Sequence, residues 1–143
     1  MRALKRLSVF PIAAPAAANS GRPRSFRLRG AAGFECHEEQ AIALCEGVID
    51  VSAALFGVSS KEMRLTGRTR MAVARVRQIA MYVTHVALGL PMAEVGKGFR
   101  RDRTTVLHAC HLVEDLRDDR DFDAIVATLE RVSLAAFGSR EAA

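Results

Sequence analysis

The chain has 143 residues, half of them hydrophobic, and a formal net charge of +5. This length suits one modest domain with a tail, and the hydrophobic content is sufficient for a packed core without metal or disulfide cross-links. Three cysteines without a C-x-x-C pair provide no disulfide framework and favour a reducing, cytoplasmic compartment. No apolar run approaches the length of a membrane span, so we expect no membrane partner.

Charge is distributed in blocks along the chain. Residues 1–34 contain seven basic residues and no acidic one, whereas residues 35–60 contain five acidic residues and no basic one. Residues 61–105 contain ten basic residues against three acidic ones, and residues 106–143 contain four against eight. A basic segment between acidic ones predicts a polarised domain that binds a polyanion. The simpler alternative is a solvated helical surface.

Residues 1–34 predict a disordered basic arm, and residues 35–140 predict the folded domain. The arm lacks helical periodicity and is too poor in core residues to fold. Its apolar run resembles a signal peptide, but Pro11 and Pro15 interrupt that run, which argues against export. The arm either lies loosely on DNA or comes from an incorrectly assigned start codon.

The remainder predicts an all-α domain of about six helices, because no segment alternates with the period of a strand. A first helix is expected from about Glu38 to Phe56, ended by Gly57. Its apolar stripe comprises Ile42, Cys45, Ile49 and Ala53. Ser59, with Glu62 three residues later, is typical of a capping box before a short helix, Ser60–Leu65. A basic loop, Thr66–Arg70, follows.

A helix-turn-helix is expected in the second half of the domain. A long third helix, Met71–Leu88, precedes it, and Pro91 suits the first turn of a fourth helix, Pro91–Phe99. Asp102 is predicted to cap a fifth helix, Arg103–Leu116. The short turn between the fourth and fifth helices is typical of the motif. Asp121 is predicted to cap a last helix that ends near Ala136.

The start of the fifth helix carries the groups that a recognition helix needs. Arg103 can bind guanine through two hydrogen bonds, and the methyl groups of Thr104 and Thr105 can pack on thymine. His108 lies on the same polar side of the helix. The structural alternative is that the two threonines only assist capping.

Three motifs resemble the C-terminal DNA-binding domain of DnaA, the bacterial replication initiator. RVRQIAMYV (75–83), PMAEVG (91–96) and FRRDRTTVLHA (99–109) correspond to the family patterns RPRQIAMYL, SLPEIG and FGGRDHTTVLHA. The resemblance covers about residues 48–116. It implies a Trp-repressor-like helix-turn-helix that binds short AT-rich boxes in double-stranded DNA and regulates replication initiation or transcription.

The resemblance also implies which residues touch DNA. The family positions that contact bases correspond to Asp102, Arg103, Thr104 and Thr105. We add Arg101 and His108 as neighbouring contacts. Phosphate contact falls on Arg77 and Gln78. The family inserts an arginine of the basic loop into the minor groove, and the matching position is Thr69. Arg68 or Arg70 is therefore expected to take that role.

Departures from the family pattern support a second hypothesis. Thr69, Val76 and Arg103 replace family residues, and the loop before the recognition helix is one residue shorter. The chain would then be a protein-interaction module that has lost specific DNA reading. Its acidic first and last helices would bind a partner such as the replication initiator or another regulatory protein.

Catalytic and cofactor chemistry is disfavoured. The chain lacks the phosphate-binding pattern G-x-x-x-x-G-K-[ST], so we expect no nucleotide binding. His108, Cys110 and His111, together with Cys36 and His37, suggest zinc only superficially, because helical geometry turns Cys110 into the core and away from His108 and His111. No nucleophile arrangement is supported by spacing. We therefore expect a cytoplasmic, nucleoid-associated DNA-binding protein that is not an enzyme and holds neither metal nor cofactor.

Overall fold

The computed structural model describes residues 34–138, and these form six helices without a strand. The helices are α1 (Phe34–Phe56), α2 (Ser60–Arg64), α3 (Met71–Val86), α4 (Met92–Phe99), α5 (Arg103–Leu116) and α6 (Arg120–Phe137). The predicted all-α class is confirmed. The predicted arm lies outside the described residues except for Phe34, and α1 begins four residues before the predicted start. Within the described range, no helix has the length and apolarity needed to cross a membrane.

Helix α3 lies at the centre and contacts all five other helices. The spacing predicts an apolar stripe of Val76, Ile79, Ala80, Val83 and Ala87. The first four are fully buried, whereas Ala87 is half-buried. Met81, Tyr82 and Thr84, which lie on other sides of the helix, are also buried. A helix that is apolar on most sides is stable only in the interior, where its neighbours cover every face. This central position fixes α4 and α5 around one common support.

The packing of α1 against α4 departs from the predicted stripe at one residue. Cys45, Ile49 and Ala53 are buried as expected, whereas Ile42 is 37% exposed. Gly98 of α4 approaches so closely that a Cβ there would overlap the Cys45 side chain, and its nearest atom in Ile42 is the Cα. The two backbones therefore meet at this turn, and the Ile42 side chain lies beside the contact.

Only some of the helix-capping residues are the ones that the sequence predicts. The Ser59 hydroxyl accepts the Glu62 N–H at 3.4 Å, as predicted for α2. Helix α6 is capped by Asp119, whose carboxylate accepts the Phe122 N–H at 3.0 Å, and not by Asp121, which lies in its first turn. Asp119 stands at the required distance before Phe122, because an N-cap side chain bonds the second or third helical N–H. Asp102 occupies the N-cap position of α5, but its side chain makes no capping hydrogen bond.

Arg117 joins three helices through a partly buried polar network. It donates to Asp123 at 2.6 Å, to Glu130 at 2.6 Å and to the Tyr82 hydroxyl at 3.2 Å. Tyr82 in turn donates to Glu114 at 2.8 Å. Burial, followed by the Glu114 hydrogen bond, raises the pKa of Tyr82 above its usual value. The network fastens α6 to the central helix and to the end of α5.

The turn between α4 and α5 is tight and contains a left-handed residue. Arg100 has φ 55° and ψ 47°, a conformation that costs a residue other than glycine roughly 1–2 kcal/mol. The Arg101 N–H donates to the Gly96 carbonyl at 2.8 Å, which closes the turn. A Cβ on Gly96 would lie 2.6 Å from the Arg101 carbonyl oxygen. The start of α5 is thus placed by backbone contact with α4.

We expect Gly96→Ala to destabilise the protein by roughly 1–3 kcal/mol, because the added methyl group meets backbone that cannot move aside. Thermal unfolding followed by circular dichroism measures the change as a lower Tm. An unconstrained helical glycine would instead gain about 1 kcal/mol on replacement by alanine. An unchanged or higher Tm would therefore contradict the close approach of the turn.

Candidate nucleic-acid interface

The basic loop and the start of α5 lie side by side. The Arg101 guanidinium, in the turn before α5, donates to the Leu65 carbonyl at 2.6 Å. Leu65 immediately follows α2 and precedes the loop Thr66–Arg70. Arg101 therefore connects the two segments that were predicted to contact DNA, and it is only partly exposed.

The first turns of α5 expose the predicted base-reading side chains. Asp102, Arg103, Thr104 and Thr105 are all exposed, while the next residue, Val106, is fully buried. His108 is exposed one turn further along. The apolar side of the helix is covered by the core, so its opposite side is free for a ligand. A helix N-terminus with polar and basic side chains suits the major groove and its flanking phosphates.

Sequence reasoning missed one residue of this exposed side. Leu107 is 36% exposed, although the apolar spacing of the fifth helix, formed by Val106, Cys110, Val113 and Leu116, predicts it at the flank of the buried face. It lies three residues after Thr104 and four before His111, which is the spacing of one helical side. Helical periodicity taken from the polar residues would have found it.

Arg77 lies in the interior, contrary to its predicted role in phosphate contact. It is 6% exposed, and its guanidinium donates to the Met63 and Glu62 carbonyls at 2.9 Å each. Weaker contacts join it to the Leu65 carbonyl at 3.4 Å and to the Thr69 hydroxyl at 3.5 Å. The carbonyls at a helix C-terminus carry partial negative charge and lack helical partners. We therefore revise the role of Arg77 to that of a clamp on the end of α2.

The electrostatics of Arg77 agree with this revised role. Burial, followed by the nearby charge of Arg101, lowers the pKa of Arg77. A guanidinium nevertheless remains charged at neutral pH because its ordinary pKa exceeds 12. The Arg77 guanidinium is therefore a permanent positive charge in the interior, and it donates hydrogen bonds mainly to the backbone that precedes the basic loop.

Gln78 is partly exposed and is oriented by a buried neighbour. Arg75, which is 1% exposed, donates from Nη1 to the Gln78 Oε1 at 2.8 Å. The amide nitrogen of Gln78 is then the group that remains to donate to a phosphate. Its phosphate contact stays a prediction.

The structure distinguishes the two arginines that flank Thr69. Arg70 pairs with Glu62 at 2.8 Å, and Thr69 itself bonds to Arg77. Arg68 is exposed and forms no ion pair with any residue in the range 34–138. Gly67, with φ 115°, allows the loop to turn just before it. Of the two candidates, Arg68 is the one not engaged by the fold.

A shallow basic groove runs between α4 and α5. Four of its lining side chains are cationic, and Asp102 is its single acid. The cations are Lys97, Arg100, Arg101 and Arg103. Lys97 also reaches Glu38 of α1 at 2.9 Å. Lys97 and Arg100 were not among the predicted contacts, since only the structure shows that Lys97 adjoins the start of α5 and that both side chains line this groove.

The histidine and cysteine side chains do not converge. Burial raises the pKa of Cys110 to about 12, so its thiol stays protonated, while His108 and His111 are exposed. In the part of the chain that the structure describes, no three His, Cys, Asp or Glu side chains are arranged to hold a metal ion.

We expect Arg77→Ala to lower the free energy of unfolding by roughly 2–4 kcal/mol, because the buried Met63 carbonyl loses its charged donor and the packing of a buried side chain is lost. Chemical denaturation measures this loss. Arg68→Ala is the matched control and should change stability by less than about 0.5 kcal/mol, since Arg68 is exposed. If Arg77→Ala kept wild-type stability but bound DNA less tightly, the original phosphate role would be restored.

The family model of the bacterial DnaA protein helix-turn-helix matches residues 45–113. The chromosomal replication initiator protein DnaA of Mycobacteroides abscessus is 40% identical over 62 residues, which cover 43% of this chain and 12% of that protein. The DnaA protein of Mesorhizobium japonicum is 39% identical over 72 residues, covering 50% and 14%. The chain therefore matches only a small part of these relatives.

Two solved structures have a similar fold. One is a crystal structure of a DNA replication initiation factor, with a TM-score of 0.66, 25% identity, and coverage of 73% of this chain and 32% of the other. The second is the replication initiator DnaA bound to AMPPCP and single-stranded DNA, with a TM-score of 0.62, 26% identity, and coverage of 76% and 33%. The resemblance inferred from the motifs is confirmed.

Proposed function

We propose that the protein binds double-stranded DNA at DnaA-box-like sites, because residues 45–113 match the family model of the bacterial DnaA helix-turn-helix. The observation that carries the proposal is the exposed start of α5, where Arg103, Thr104 and Thr105 stand together beside the basic loop. Binding there would regulate replication initiation or nearby transcription. The protein would act on the nucleoid, without catalysis, nucleotide or metal.

Each predicted contact residue that is exposed or partly exposed has a definite part in the proposed complex. Arg103 and the two threonines face base edges in the major groove, where Asp102 can accept a hydrogen bond from cytosine. Arg68 enters the adjacent minor groove, because Arg70 is held by Glu62. Gln78 and Arg101 hold phosphates, which fix the orientation of the helix without reading sequence. His108 extends the contact along the side of α5.

Titration of duplex DNA at several salt concentrations tests the proposal. If about five of the basic residues in 61–105 contact phosphates, log K should fall against log salt with a slope of about −4 to −5. Thr105→Ala should weaken binding to a selected box by roughly 1–3 kcal/mol while changing binding to random duplex much less. Fluorescence anisotropy measures both constants.

Two outcomes would contradict this assignment. A flat salt response would reject DNA binding and favour the interaction module, in which α1 and α6 contact a protein. Equal losses of Thr105→Ala on specific and random duplexes would show that Thr105 only supports the helix. Circular dichroism of the variant should be unchanged, because the side chain is exposed.

Arg103 is expected to shift the base preference of the box. The family has histidine at this position, and arginine binds best to the O6 and N7 atoms of guanine. The preferred box should therefore favour guanine at the position that Arg103 reaches, and Arg103→His should return the preference toward the DnaA box. Selection from a random duplex pool measures both preferences. Identical preferences with a lower affinity for the variant would show that Arg103 contacts phosphate.

A further inference from the structure

Arg100 combines an unfavourable backbone with an unused side chain. Its left-handed conformation is one that glycine adopts without steric cost. The side chain is exposed, and its guanidinium forms no hydrogen bond or ion pair with the residues from 34 to 138. The Arg100 side chain therefore forms no stabilising polar contact with residues 34–138, while its left-handed backbone conformation destabilises the fold.

Two other cations of the groove, Lys97 and Arg101, already have partners within the fold. Lys97 pairs with Glu38, and Arg101 donates to the Leu65 carbonyl. Arg103 is the residue assigned to base edges. Arg100 is thus the groove cation that remains for the DNA backbone. It lies three residues before the first residue of α5, where a strand that passes the helix N-terminus presents its phosphates.

We propose that Arg100 is an additional phosphate-contacting residue, which binds the DNA backbone beside the recognition helix. The inference rests on the proposed function and extends it, because the family pattern has glycine at this position and offers no side chain there. Its contact is electrostatic and carries no sequence information. The residue would raise affinity for every duplex and strengthen the dependence of binding on salt.

The consequence for binding follows from counterion release. One phosphate contact contributes about 0.9 to the slope of log K against log salt, which is about eightfold in affinity at 0.1 M salt. Arg100→Gly should therefore reduce the slope by about 0.9 and weaken specific and random duplexes alike. Its Tm should equal that of the wild type or exceed it by a few degrees, since relief of the left-handed conformation offsets the freedom that glycine gains in the unfolded chain.

Two further variants of the full chain make the experiment specific. Arg100→Lys keeps the charge and the strained backbone, so its slope should equal that of the wild type. Arg131→Ala removes one exposed charge from α6, which packs mainly against α1 and α3, and should also leave the slope unchanged. Anisotropy titrations with one selected and one random duplex, at four salt concentrations, provide all slopes.

The outcomes separate this inference from the proposed function. If the wild type binds with salt dependence but Arg100→Gly has the same slope and affinity, the phosphate contact is rejected and duplex binding stands. A lower Tm for Arg100→Gly would show a structural role and would also reject it. An equal loss of slope in Arg131→Ala would show that only net charge matters. Failure of the wild type to bind any duplex would reject both proposals.

Discussion

The buried guanidinium of Arg77 is the interaction on which the arrangement of the surface depends. It is anchored in the central helix α3 and holds the carbonyl end of α2 by hydrogen bonds to Glu62 and Met63. Arg101 approaches the same segment from the turn before α5, through the Leu65 carbonyl. One cluster of backbone acceptors thus receives donors from two directions. The loop and the recognition helix are positioned against a shared point, although they are more than thirty residues apart in sequence.

Ion pairing divides the basic residues into two groups with different tasks. Arg64 contacts Glu46 and Asp50 of α1, Arg70 contacts Glu62, and Lys97 contacts Glu38. These pairs lie at the surface, where each contributes little to stability, but they cancel charge locally. The positive potential is therefore concentrated at side chains without an acidic neighbour, which lie mainly at the loop and at the turn before α5. Acidic residues of α1, together with Glu62, thus neutralise basic residues that surround this surface.

Periodicity and turn residues predicted most of the fold. The buried stripe of α3 and the short turn before α5 follow from spacing alone, because helical packing imposes both. The residue that caps α6 and the exposure of Ile42 could not be predicted in this way. Both depend on tertiary contacts between helices, which periodicity does not specify. Arg77 shows the same limit for the site. A basic residue near a helix start is consistent with phosphate binding or with carbonyl clamping, and only the position of α2 distinguishes these roles. Arg100 was overlooked because its left-handed backbone conformation is not evident from the sequence.

The bond between Arg101 and Leu65 has a consequence for the entropy of recognition. A flexible loop that must reach into a groove loses conformational freedom when it binds, and this loss subtracts from affinity. Here Arg101 holds Leu65, which immediately precedes the loop, and Arg77 makes a weaker contact of 3.5 Å with Thr69, so part of the freedom of the loop is already lost when the domain folds. This conformational entropy is lost when the domain folds, and the burial of the apolar side chains of α3 offsets the loss. The start of the loop is therefore partly ordered before any ligand binds, and less conformational entropy is left to be lost on binding.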